Sequence, residues 1–251
     1  MRTRLIQAAG FAAALLAQAS PARAVVGPAN EHGPLEAHVV MVLTRVPGAS
    51  AFCSGAVVAP DVVLTAPHCL NAAANSVVFF RGEDGAPATR AVSTIAIHPD
   101  FHRDAIAKRL RSIDLALVRL AAPLPSRFRA AALASSGAVA VGQPFRVAGF
   151  GLGRENVGAT GGVFRWGAIA AREPLSQVLL WAEDPAHGGL GACTGDSGGP
   201  VFAGDSDTVV AVTDWTTGPT KKSHCGGLTQ GALVAPQRDW IDGVMRSWGA
   251  R

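Results

Sequence analysis

Residues 193–200 read Cys193-Thr194-Gly195-Asp196-Ser197-Gly198-Gly199-Pro200, which sets one hydroxyl among glycines. A serine hydroxyl is a poor nucleophile at neutral pH until a base takes its proton. Glycines beside it suit a tight turn in which backbone N–H groups approach the carbonyl the hydroxyl would attack. In a chain with 29 glycines the same string also arises in ordinary loops, so acyl transfer needs two further residues, a basic histidine and an acid to orient it. His68 stands in Thr65-Ala66-Pro67-His68-Cys69, directly after the apolar run 55–64. Asp114 stands in Ser112-Ile113-Asp114-Leu115-Ala116-Leu117-Val118-Arg119-Leu120. An acid inside such a run is costly to bury unless a partner hydrogen-bonds it.

Three blocks, FCSGAVVAPDVVLTAPHC, DLALVRL and CTGDSGGPV, carry these residues in the order His, Asp, Ser. Together they resemble the trypsin/chymotrypsin-like serine proteases, in a secreted, bacterial-type form, over essentially all of residues 25–251. The resemblance implies an all-β fold: two packed six-stranded antiparallel Greek-key barrels with a C-terminal α-helix. It places His68 and Asp114 in an N-terminal barrel, 25–130, and Ser197 in a C-terminal barrel with the terminal helix, 131–251. It also implies roles. His68 is general base and then general acid, and Asp114 fixes its tautomer. The N–H groups of Gly195 and Ser197 form an oxyanion hole, and hydrolysis runs through an acyl-enzyme. The expected partner is a peptide or protein substrate, with a protein inhibitor as a second. The competing class, a secreted binding or adhesion module on the same fold, usually lacks a member of the triad, and none is lost here.

Selectivity is read from the same resemblance. Six residues before the nucleophile, the floor of the primary pocket falls at Gly191, beside Ala192, so no acid is present to select Lys or Arg. Asp214-Trp215-Thr216 replaces the family's Ser-Trp-Gly, and the branched Thr216 narrows the slot. A small or medium apolar side chain is expected there, with an aromatic one as the alternative. The remaining wall falls at Gly227 or Gly231. Two departures stand out. Pro67 before His68 restricts the backbone and lacks an N–H. Asp214 puts a second carboxylate where a serine normally bonds the triad acid, so it is either protonated, turned away, or facing the cleft toward a basic ligand group.

The four cysteines allow three pairings on sequence alone. The resemblance selects Cys53 with Cys69, stapling the His68 loop, and Cys193 with Cys225, bracing the wall beside Ser197. No Cys-x-x-Cys occurs and the seven histidines are dispersed, so no metal and no cofactor are expected. Glu83 and Asp84 do not make the spaced acids of a calcium loop, and Asp205 and Asp207 read as a hairpin tip.

The elements that must position these residues are mostly strands. Apolar or β-branched runs at 37–44, 51–58, 61–65, 76–81, 90–97, 114–120, 144–149, 163–170, 176–182, 199–203 and 208–213 are split by Gly, Pro, Asn and Asp. Such spacing favours a sandwich or barrel pair. Residues 121–138 read as the linker. One helix starts at Pro236, with Ile241, Val244, Met245 and Trp248 on one face. Residues 1–24 read as a signal peptide: Arg2 and Arg4, an apolar run at 8–17, then Ala22-Arg23-Ala24 as a small-x-small cleavage site. The run is short for a membrane span, so a secreted or periplasmic monomer with no membrane contact after processing is expected. Cleavage after Ala24 leaves Val25-Val26-Gly27-Pro28, whose amine the resemblance pairs with Asp196; the alternative is an ordinary first strand. Hydrophobic residues make up 49% and charged ones 16%, enough for a sizeable core in ~227 mature residues. The net charge of +4 is spread thinly, and the basic residues from 103 to 111 read as a solvated loop with no nucleic-acid partner.

Overall fold

The computed structural model describes residues 25–135 and 138–250; the expected leader, 1–24, lies outside them. In the first half run β1 (Asn30–Glu31), β2 (Val39–Val46), β3 (Ala49–Ala59), β4 (Val62–Thr65), β5 (Ser76–Arg81), β6 (Pro87–Ile97), α1 (Ala105–Lys108) and β7 (Ala116–Leu120). The second half holds β8 (Ala132–Leu133), β9 (Pro144–Gly149), β10 (Arg165–Ala171), β11 (Leu179–Glu183), β12 (Pro200–Ala203), β13 (Thr208–Thr216), β14 (Thr229–Leu233) and α2 (Arg238–Ser247). Strands β2, β3, β4, β7, β6 and β5 close into one antiparallel barrel. Strands β10, β11, β14, β13, β12 and β9 form a second ring, closed where β9 pairs with β10. Two antiparallel six-stranded barrels and a C-terminal helix are therefore present, as the resemblance implies.

The patterning explains the closure. In β5 the buried positions are Ser76, Val78 and Phe80, the period-two alternation of a strand with one face on a core. All four residues of β4 are buried, so it reads as an unbroken apolar run. Strand β14, Thr-Gln-Gly-Ala-Leu, has no β-branched run and escaped the sequence reading, yet the second ring closes through it. Strand β13 extends past its expected end to Thr216, with a register shift between Thr213 and Trp215 that leaves Asp214 at a bulge.

The connection after β7 is laid on both barrels. Leu124 and Ala131 donate backbone bonds to Pro60 and Val57, and β8 then runs parallel to the start of β13. After a single 3-10 turn at Ala235–Gln237, α2 starts two residues later than Pro236. Its Ile241 is fully buried, while Trp240 meets the edge of His98 at 4.8 Å. The helix thus reaches across to the first barrel instead of packing on the second alone.

Candidate active site

His68 lies in a 3-10 turn, Pro67–Cys69, that follows β4. Pro67 occupies the first position of that turn, where its preset φ helps and its missing N–H costs nothing. Ala66 is extended, as a residue before proline prefers to be. The Cys53–Cys69 disulfide ties the turn to β3. Asp114 sits two residues before β7, between the buried Ile113 and Leu115. Its carboxylate accepts from His68 Nδ1 and, at 3.3 Å, from the His68 backbone N–H. The side chains are 35% and 15% exposed, so the imidazole faces the cleft and the acid sits behind it.

Ser197 belongs to the turn entering β12. Gly195 has φ 95°, and a Cβ there would come 2.2 Å from the Phe52 ring; at Gly198, φ 78°, it would come 2.1 Å from Thr65 Oγ1. Only glycine fits either place. The residue that docks this turn on the first barrel is Ser54, which the sequence reading missed. Its N–H donates to Ser197 O at 2.8 Å, and its fully buried hydroxyl donates to Gly195 O and accepts from the Phe150 N–H. Its one sequence signal was its place after Cys53. Among the described residues, the N–H groups of Gly195 and Ser197 have no hydrogen-bond partner.

His68, Asp114, Gly195 and Ser197 line one open cleft of about 1290 Å³ between the barrels. No hydrogen bond joins Ser197 Oγ to His68; the imidazole Nε2 lies 3.7 Å from Cys69 Sγ. Cys53, His68 and Cys69 come within 4.8 Å of one another, a spacing a metal would suit, but both sulfurs are spent in the disulfide.

Asp214 also lines the cleft. Gln230 donates its amide to both carboxylate oxygens, at 3.1 and 3.2 Å, while Trp181 Nε1–H donates to Gln230 Oε1 at 2.8 Å. Burial and the charge of Asp114 push Asp214 up to about 7, against the pull of Gln230 and His68. For His68, burial alone pulls the imidazole down. The hydrogen bond and charge of Asp114, with the charge of Asp214, outweigh it, so the net shift is upward, Arg103 opposing.

The expected pocket residues separate into two groups. Trp215 and Thr216 line the cleft, whereas Gly191 and Ala192 are buried behind it. Thr216 Oγ1 lies 3.0 Å from both Ala192 O and Leu228 O. Thr229 Oγ1 holds the Ala192 N–H, and Gly226 N–H donates to Ala192 O. A Cβ on Gly191 would already stand 3.2 Å from Gly226 Cα. The Thr216 hydroxyl thus bridges the segments that carry Ala192 and Leu228. The third wall is Gly226-Gly227, next to the disulfide Cys193–Cys225; Gly231 instead pairs with Thr213 inside the sheet.

Asp196 is fully buried and accepts from the N–H groups of Gly151 (2.8 Å), Cys193 (2.9 Å) and Val25. Burial pushes it up to about 6, and those three donors and the charge of Arg165 restrain the rise. Val25 is itself fully buried, and Val26 pairs with Gly191. Asp184, also unforeseen, accepts from the N–H groups of Ala186, Gly188 and Leu190 and so braces the loop leading to Gly191.

Two closed antiparallel barrels with a serine turn and a histidine–aspartate pair facing one cleft define a two-barrel hydrolase of the serine type. The family model described as Trypsin matches residues 27–241. Trypsin eta of Drosophila melanogaster is 25% identical over 236 residues, covering 86% of this chain and 87% of its own. Trypsin, alkaline C of Manduca sexta is 28% identical over 246 residues, covering 83% and 86%. Human heparin binding protein matches in fold at a TM-score of 0.71 with 21% identity, over 88% of this chain and 97% of that one. A scabies mite inactivated protease paralogue follows at 0.68 and 20%, over 86% and 99%. The chain belongs to the trypsin family and is a serine-type endopeptidase.

Proposed function

We propose that this chain is a secreted endopeptidase in which Ser197 attacks the peptide carbonyl. His68 takes its proton and returns it to the leaving amine, and Asp114 holds the imidazole. The observation that carries the reading is the His68 Nδ1–Asp114 bond set across one cleft from a serine turn with two unpartnered N–H groups. A neutral imidazole with Nδ1–H committed to Asp114 has Nε2 free as the base. The catalytic hydrogen bond to Ser197 Oγ forms as substrate closes the site, since such bonds are commonly loose before binding. The N–H groups of Gly195 and Ser197 receive the developing oxyanion, each worth on the order of 100- to 1,000-fold in rate.

The closed slot favours the smallest apolar side chains before the cut bond. The two barrel units fall within residues 25–130 and 131–251, with the correction that the first residues, through β1, lie on the second barrel, where Val26 bridges Gly191 and β1 pairs with β10. Removal of residues 1–24 would convert the Val25 N–H already at Asp196 into an ammonium paired with it, so export and activation become one event.

A serine-directed fluorophosphonate tests the reading on the processed protein. Wild type is expected to label at Ser197. Ser197→Ala is expected not to label, and His68→Ala to lose about 1,000,000-fold in kcat. An unlabelled, correctly processed wild type would overturn it.

A further inference from the structure

One wall of the cleft carries charge that the reaction does not use. The segment between β6 and β7 brings Arg103, Arg109 and Arg111 to the lining, while the lining acids, Asp114 and Asp214, are engaged by His68 and Gln230. The nearby carboxylates do not neutralise this wall. Asp104 is taken by Lys108 at 2.5 Å, and Asp100 lies 3.9 Å from Arg111. Among the described residues Arg103 and Arg109 have no carboxylate within ion-pair distance.

Their placement is constrained. Arg103 donates to Leu70 O at 3.4 Å, lies 5.9 Å from the centre of the Phe101 ring, and stands close enough to oppose the protonation of His68. Arg109 ends α1 in the left-handed region, φ 54°, where glycine is the unstrained choice. The same cleft lining also carries Trp215, 48% exposed, with Val178 and Leu179.

We propose that the Arg103–Arg109 wall selects acidic peptides, binding substrate carboxylates near the bond to be cut; this rests on the protease reading above. In an extended peptide every second side chain faces the same side, so Glu or Asp at alternate positions can meet the arginines together. Guanidinium forks suit carboxylates, and both arginines are exposed to a ligand entering the cleft.

The test uses matched quenched peptides that differ only in Glu against Gln at one position at a time, from four residues before the cut to four after it. The ratio of kcat/KM for Glu over Gln is read, in which effects of a substitution on the chemical step cancel. At low salt at least one position is expected to favour Glu by about 3- to 10-fold, and the ratio is expected to shrink toward one at 0.5 M salt. Arg103→Gln and Arg109→Gln should each reduce it, the double variant should abolish it, and Arg103→Lys should keep part of it. A wild-type ratio of one, or a ratio indifferent to both arginines, overturns the proposal. If Ser197 does not label, so that the protease reading itself has failed, the same ratio is read as a Kd by titrating the uncleaved peptides. Equal affinities, with heparin binding that depends on the two arginines, would assign the wall to a sulfated polysaccharide instead.

Discussion

Asp214 is the residue at which this chain departs furthest from the family's pattern, and it faces the cleft within the field of His68 and Asp114. Its negative charge helps to raise His68, which in the proposed mechanism must be neutral to act as base. Removing that charge lowers the imidazole pKa, so Asp214→Ser should move the acid limb of the kcat/KM profile to lower pH. Because Asp214 itself titrates at about 7, the wild-type limb should be a composite of two steps and that of the variant a single step. An identical profile in the two proteins would remove Asp214 from the electrostatics of the site. That a carboxylate stood here was legible in the sequence. That Gln230 and Trp181 clamp it was not, since Gln230 lies 16 residues from Asp214 and 49 from Trp181.

At the scale of elements, the proposed slot is a matter of three segments meeting: β13 through Thr216, residues 191–193, and residues 225–229. Thr216→Gly removes both the branch and the bridging hydroxyl. It is expected to raise kcat/KM for Leu or Phe relative to Ala before the cut bond by about 10- to 100-fold, the range in which apolar pockets discriminate by size. Thr216→Val keeps the bulk and loses only the hydroxyl, so it should recover a small part of that gain. Peptides varied at the one position measure both, and an unchanged Leu/Ala ratio in the glycine variant would mean that the slot is not closed by this residue. The strands that hold the site were readable where β-branched runs are continuous, as in β4 and β5. Strand β14 was not, because its place comes from pairing with β11 and β13 rather than from its own composition.

For the whole molecule, folding and activation meet at Asp196. With residues 1–24 attached, burial raises its pKa from 3.8 to about 6. The folded state then binds more protons than the unfolded one between those values. Stability from this group is therefore full below about pH 4 and is lost as pH rises through about 6, by on the order of 3 kcal/mol. On the proposed cleavage after Ala24 the Val25 ammonium would pair with the ionised carboxylate, which would reverse the sign. The gap in Tm between cut and uncut protein should widen from pH 4 to pH 7, and Asp196→Asn should flatten the uncut curve. Parallel curves would count against the linkage. The sequence by itself determined the family, the order of the chemical residues, the cysteine partners through the resemblance, and most strands. It could do so because those features are written in consecutive residues or in short blocks. Only the tertiary structure decided that Thr216 bridges Ala192 and Leu228, that Ser54 docks the Ser197 turn 141 residues away through Gly195, and that Arg103 and Arg109 line the cleft without a carboxylate partner among the described residues. Those are distances between segments far apart in the chain, and they are set by how each barrel closes and how the two pack.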